Sequence, residues 1–279
     1  MAQYAKALQI MVPSGKGSGL KIVTVPGWSG RCFVVPRQDV KALKTQPASN
    51  KPGLYILFGQ DSEAGKRLAY IGESENFFSR ITTHDAAKDF WDTAVIFTGG
   101  LNRAYVKYLE HLATMLANKV NRMEMQNKVQ PQENSLSDFD KLAVEQYFDT
   151  MQFVLSALNY EIFESLEDSV VGTETYHLQT KNTNAKARLL DNGSMLVLAG
   201  STASTTEAAS YSGWTKDERH AMIADGRLAK HGETSYILTE DMLFKSPSAA
   251  AAIMAGRSIN GWTAWKDSAG NTLDQNLRT

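Results

Sequence analysis

Residues 8–36 (LQIMVPSGKGSGLKIVTVPGWSGRCFVVP) set short β-branched runs between Gly, Pro and Ser, a pattern that predicts brief strands joined by tight turns. The GKGSG stretch lacks the spacing and the Lys-Ser/Thr ending of a phosphate loop, so it is read as a hairpin turn. Two longer apolar runs follow, GLYILFG (53–59) and RLAYIGES (67–74), predicted as strands joined by the polar loop QDSEAGK. Asn76 is placed to cap a helix over 77–85, and DTAVIFTG (92–99) reads as another strand.

The clearest periodicity is that of Tyr105, Leu109, Leu112, Ala113, Leu116 and Val120, one apolar stripe of a helix spanning about 102–121. The polar, Pro-containing VQPQENSLSD (129–138) predicts a linker, and an amphipathic helix follows over about 138–157. Farther on, AKARLLDNGSMLVLAG (185–200) reads as two strands around an Asp-Asn-Gly turn. WTKDERHAMIADG (214–226) and SPSAAAAIMAG (246–256) read as helices closed by Gly226 and Gly256.

A chain of 279 residues, 43% hydrophobic and 21% charged, can bury one or two modest cores. Cys32 is the only cysteine, which excludes an intrachain disulfide, a multi-cysteine zinc cage and an iron–sulfur cluster. A reducing, cytoplasmic setting is expected. No basic patch leads into an apolar stretch near residue 1 and no run approaches ~18 apolar residues, so neither a signal peptide nor a membrane span is expected.

The net charge of -1 hides an uneven distribution: residues 1–127 hold 16 Lys+Arg against 10 Asp+Glu, residues 128–168 hold 2 against 9, and residues 169–279 hold 11 against 11. The basic first segment could face phosphate, and the acidic second would repel it. A solvated charge distribution without a partner accounts for the same numbers.

Gly53-Leu54-Tyr55, then Tyr70-Ile71-Gly72, then Arg80, His84 and Glu110, in that order, resemble the motifs of the GIY-YIG nuclease superfamily over residues 50–122. The resemblance implies a small mixed sheet flanked by helices and a hydrolase, an endonuclease cutting phosphodiester bonds in DNA with Mg2+ or Mn2+. It assigns Tyr55 to water activation, Tyr70 to orientation, Arg80 to charge on the phosphoryl oxygens and Glu110 to the metal. His84, one helical turn from Arg80, shares its face. Asn121, about three turns beyond Glu110, projects within roughly 20° of it and is the candidate for the asparagine that often follows the metal-binding glutamate. Taken singly, each residue has a plain account: the tyrosines as strand core, the others as solvated helix face. Glu73 departs from the resemblance, because many members carry a basic residue directly after the second motif. His111, His177, His220 and His231 form no metal-like grouping and receive no role.

The C-terminal part, through NGSMLVLAGSTAS (192–204) and SPSAAAAIMAGRSINGWTAWKD (246–267), is similar to a domain of unknown function often fused to GIY-YIG domains and to the restriction-enzyme and adenine-methylase associated module. Gly261-Trp262 is expected to turn into a strand. Arg257, Trp262 and Trp265 could grip phosphate or stack on bases, or the two tryptophans could pack in a small core. The expected fold is α+β. It comprises a nuclease-like domain with an N-terminal strand extension (1–127), an acidic linker and helix (128–168), and a smaller α+β domain serving as a possible DNA reader (169–279). The alternative is a non-catalytic DNA-binding or protein-interaction protein that retains the nuclease fold. The sequence assigns no oligomeric state.

Overall fold

A computed structural model describes residues 5–61, 67–165, 170–172 and 174–278, and the chain divides into two compact units, Met1–Ser165 and Leu166–Thr279. Most of the polar loop expected at 60–66 and the boundary expected at 168/169 lie outside the described residues. Both units combine a seven-stranded sheet with helices, so the chain is α+β. Among the described residues, no helix is long and apolar enough to cross a membrane.

In the first unit the strands are β1 (Gln9–Met11), β2 (Lys21–Thr24), β3 (Arg31–Pro36), β4 (Gly53–Gln60), β5 (Arg67–Ser74), β6 (Trp91–Thr98) and β7 (Glu124–Met125). They lie in the order β1-β2-β3-β6-β4-β5-β7. All pairs are antiparallel except β5 with β7, so the sheet is mixed. A 3-10 segment (Arg37–Thr45) precedes β4, and the helices are α1 (Phe77–Ala87), α2 (Arg103–Val120) and α3 (Asp138–Ala157).

Strand β4 is central and covered on both faces, which is why GLYILFG is apolar throughout instead of alternating. Leu54, Ile56 and Phe58 point into a core shared with Leu109, Ala113 and Ala117 of α2. Tyr55 and Leu57 point the other way, toward Phe77 and Ile81 of α1 and Val40 and Leu43 of the 3-10 segment.

The segment expected as an acidic linker and helix is part of this unit. Val144, Tyr147, Phe148, Met151, Val154 and Leu155 form a helical stripe of α3 buried in the same core as α2, and the Tyr147 hydroxyl donates to the Thr98 carbonyl at 3.1 Å. The stretch before α3 is strapped to α2: His111 Nδ1 lies 2.8 Å from the Pro131 carbonyl, and Asn134 Nδ2 donates to the Ala104 carbonyl at 3.1 Å. The acidic side chains occupy the solvent face of α3, where Asp140 takes a hydrogen bond from Tyr105. Counted over residues 1–165, Lys+Arg number 18 against 17 Asp+Glu, so the basic excess of the first 127 residues is offset inside the unit.

The second unit has strands β8 (Tyr176–Thr180), β9 (Thr183–Leu189), β10 (Met195–Val197), β11 (Thr202–Ser204), β12 (Leu228–His231), β13 (Ser235–Leu238) and β14 (Met242–Phe244). Its helices are α4 (Trp214–Ala224), α5 (Pro247–Ala255), α6 (Gly261–Ala264) and α7 (Leu273–Leu277). The sheet runs β12-β13-β11-β9-β10-β14, with β8 also on β9. In β9, Thr183, Ala185, Ala187 and Leu189 are buried in alternation, and the expected Asp-Asn-Gly turn closes with the Leu190 N–H on the Ser194 carbonyl at 2.9 Å. Helix α5 is buried nearly all round, so its run of alanines fits where larger side chains would not.

At Gly261 the expectation of a strand is not met. The chain forms the short α6, capped by the Asn260 side chain accepting from the Trp262 N–H at 3.0 Å, and Gly261 lies against α5 so closely that a Cβ there would sit 2.2 Å from the Pro247 carbonyl carbon. Trp265 is fully buried and donates from Nε1 to the Pro247 carbonyl at 3.0 Å.

Candidate active site

Tyr55 leaves β4 on the α1 face and lies across Gly72 of the neighbouring β5, its partner in the ladder. A Cβ at residue 72 would stand 2.3 Å from the Tyr55 hydroxyl oxygen and 2.5 Å from Cζ, so the phenol reaches over β5 only because position 72 has no side chain. Beyond Gly72 the hydroxyl meets two residues of α1. His84 Nε2 is 2.8 Å away, and Arg80 donates from Nε at 3.3 Å. Asn76 caps this helix by accepting from the Ser79 N–H at 3.1 Å, and the four-residue spacing then stacks Arg80 and His84 on one face.

The charges follow from packing. Burial, then Arg80 and Lys88, push the His84 imidazole down to about 4, so it is neutral at pH 7. With Arg80 donating to the phenol oxygen, the phenol proton points at Nε2, which assigns the remaining ring proton to Nδ1. Burial pushes the Tyr55 hydroxyl well above its ordinary range, reinforced by Tyr70 and opposed by the hydrogen bond from Arg80. Tyr70 stacks beside Tyr55 with centroids 6.2 Å apart. Lys88 holds its ammonium 4.2 Å above the Tyr70 ring, and burial followed by repulsion from Lys128 and Arg80 lowers its pKa.

Glu110 approaches from the other side of β5. The buried residues of α2 include Val106, Leu109, Ala113 and Thr114, so Glu110 lies one turn from three fully packed positions and is itself half-buried. Its half-buried carboxyl is raised to about 7, first by burial and then by Glu73, while a hydrogen bond from the Glu73 backbone and the charge of Arg80 act against this. Glu73 shares the α2 side of β5 with Ala69 and Ile71, which pack in the α2 core. Strand β7 covers β5 only at Leu68 and Ala69, so the tyrosine cluster and the carboxylates meet around the open end of the β5 edge.

Among the described residues, no three His, Cys, Asp or Glu side chains form a metal-holding group. Two neighbouring carboxylates, one of them held partly neutral by burial and by the charge of the other, form a donor set that suits a hard dication retaining several waters.

Tyr55, Tyr70, Arg80 and His84 are thus in mutual contact, and Glu110 is within electrostatic reach of Arg80 and Tyr55. Asn121 is not brought to them. It is the left-handed C-cap of α2, φ 53°, its N–H on the Ala117 carbonyl, and eleven residues of helix place it ~16 Å along the axis from Glu110. Asn127 fills an edge role instead: its side chain accepts from the Ile71 N–H at 3.0 Å and donates to the Ile71 carbonyl at 2.8 Å, pairing with β5 as a strand would. Lys88, Lys128 and Asn127 carry no motif, and the basic residues could have been found only as cations flanking the predicted site elements.

In the second unit, Arg257 is exposed just after the Gly256 cap of α5. Trp262 is half-buried against the core, with the Arg278 guanidinium 3.5 Å from its ring centre, so one face that could stack on a base is already taken. Arg219, with no exposed surface, donates to the Ser204 and Ile253 carbonyls and from Nε to Glu207 at 3.1 Å.

Residues 176–277 match the family described as a domain of unknown function, DUF4357, which covers the second unit almost entirely and leaves the first outside it. No curated protein and no solved structure matches the chain.

Proposed function

We propose that the chain is a divalent-metal-dependent endonuclease of GIY-YIG type acting on DNA. The observation that carries this reading is the contact of the Tyr55 hydroxyl with both His84 and Arg80, beside the paired carboxylates Glu110 and Glu73. Phosphodiester hydrolysis needs an activated water, neutralisation of phosphoryl charge and help for the departing oxygen. Tyr55 accepts a proton from the attacking water as its own passes to Nε2 of His84, and Arg80 holds the phenol oxygen while its charge is transiently increased. Tyr70 walls the cluster and keeps the phenol in line.

Arg80, Lys88 and Lys128 are the cations a phosphate meets at this edge, and Arg80 offers it a planar fork of donors. Glu110, with Glu73 beside it, would hold Mg2+ or Mn2+, which would supply Lewis-acid stabilisation of the phosphoryl oxygens. A second reading, a non-catalytic DNA-binding protein with the same fold, is favoured by the upward push on Tyr55 and by Glu73 standing where the resemblance has a basic residue.

The test is incubation of the protein with supercoiled, linear and single-stranded DNA, with and without Mg2+ or Mn2+, alongside Tyr55→Phe and Glu110→Ala. Metal-dependent cutting lost in both variants supports the nuclease. Binding without cutting under every condition supports the second reading, and cutting retained in both variants places the chemistry elsewhere.

A further inference from the structure

At the end of the first sheet where β4 begins and β6 ends, a cavity of about 690 Å³ opens among Trp28, Arg31, Lys51, Gly99, Gly100 and Asn102. Its charged lining is wholly cationic: Arg31 and Lys51 are both exposed, and no carboxylate lines it. The apolar wall is the Trp28 indole, fixed from behind by Tyr147 at 4.9 Å between centroids. Gly99 and Gly100 both have positive φ, 88° and 67°, and each approaches Ser29 so closely that a Cβ would meet its atoms at 2.7 and 2.6 Å. Among the described residues, the backbone N–H groups of Gly99, Gly100 and Leu101 meet no backbone carbonyl. They lie just before the N-terminus of α2, where the dipole adds to the positive potential.

We infer that this cavity is a second nucleic-acid subsite, in which Arg31, Lys51 and the 99–101 backbone hold a phosphate of the strand and the indole wall receives its sugar or base. The inference rests on the nuclease reading for its ligand and deepens it. Tyr55 is only three residues from Pro52 at the cavity rim, roughly 10 Å along β4. Glu75, one residue past β5, pairs with Arg103 at 2.7 Å beside Asn102. A strand lying across the catalytic cluster therefore reaches the cavity within a few nucleotides, and its function there is to set register without reading sequence.

The test uses the full chain in EDTA, so that binding is measured without cleavage. Fluorescein-labelled single-stranded and duplex oligonucleotides are titrated over a range of salt with wild type, with Arg31→Gln/Lys51→Gln, and with the charge-matched control Lys41→Gln/Lys119→Gln. All four positions are exposed, and thermal melts verify folding. The first pair should weaken binding about ten-fold and flatten the slope of log affinity against log salt by about 2, since each lost phosphate contact removes about 0.9.

Unchanged binding, or an equal loss in the control pair, overturns the subsite. Binding of AMP as tight as that of the oligonucleotides, lost in the same variant, overturns the strand assignment in favour of a free nucleotide. Because no cutting is scored, failure of the nuclease reading leaves this result separately readable.

Discussion

Gly72→Ala should disable the candidate site by expelling the Tyr55 ring. The added methyl would lie 2.3, 2.5 and 3.0 Å from Oη, Cζ and Cε2 of Tyr55, all atoms of a rigid ring whose Cβ is anchored on the central strand. The ring cannot yield by a small rotation, because Tyr70 and His84 flank it at centroid distances of 6.2 and 5.4 Å. Overpacking of this kind costs about 1–3 kcal/mol, and any displacement breaks the 2.8 Å contact with His84.

The assay is a double-mutant cycle by chemical denaturation. In the Tyr55→Leu background the offending atoms are gone, so Gly72→Ala should cost nothing or stabilise by about 0.5–1 kcal/mol, the usual gain of Ala over Gly within a strand. The coupling energy should therefore be about 1–4 kcal/mol. An equal cost for Gly72→Ala in both backgrounds would refute the reasoning, because the penalty would then come from the β5 backbone and not from the phenol.

Glu110→Gln should change how stability depends on pH. The carboxyl ionises at about 7 when folded against an ordinary 4.5, so the folded state keeps a proton that the unfolded chain has released, and wild-type stability falls as pH rises from 4.5 to 7 and levels above. The full effect is at most about 3 kcal/mol, reduced by solvent screening to about 1–2 kcal/mol. Denaturation from pH 4.5 to 8 should show this decline in wild type and not in the variant, and a parallel pH dependence in both would refute it. Arg80→Ala should lower turnover more than 100-fold with little change in substrate affinity, since a guanidinium on developing charge acts in the transition state; a loss confined to affinity would make Arg80 a phosphate anchor only. Arg219→Leu should destabilise the second unit by about 2–5 kcal/mol, because it leaves the Ser204 and Ile253 carbonyls without their buried donor, while Glu207 keeps His220 and Lys216; an unshifted melting transition of that unit would show the cluster to be dispensable.

Element ends were readable where local signals set them. The strand runs 53–59 and 67–74 and the helices at 138–157 and 246–256 are found within a residue or two of their expected ends, since their caps, Ser137 and Ser246, act through local hydrogen bonds. Segment composition misled. The polar, Pro-containing 129–138 and the acidic excess of 128–168 set that stretch apart from the first domain, yet a helix can carry four of its nine carboxylates on its outer face while Val144, Tyr147 and Met151 bury the inner one. Net charge sums over both faces and cannot report that a helix is docked. Gly261 was similarly opaque, because the close approach that favours a glycine there comes from α5, fourteen residues earlier in the chain.

The site shows the same limit in another form. Four of its residues lie within two short local elements, a strand pair and one helix, so their spacing already constrained them to meet. Asn121 was chosen by angle about the α2 axis, which matched Glu110, but an angle carries no information on height, and eleven residues of rise separate the two by ~16 Å. Conversely Asn127 follows α2 in an irregular turn, where no period exists to project. It is the parallel pairing of β7 with Leu68 and Ala69 that delivers its amide to Ile71. A residue placed by a strand pairing absent from local pattern is invisible until the sheet order is known. The end of the β5 edge, where a tyrosine from one face and a glutamate from the other come within electrostatic reach, is therefore a property of the topology.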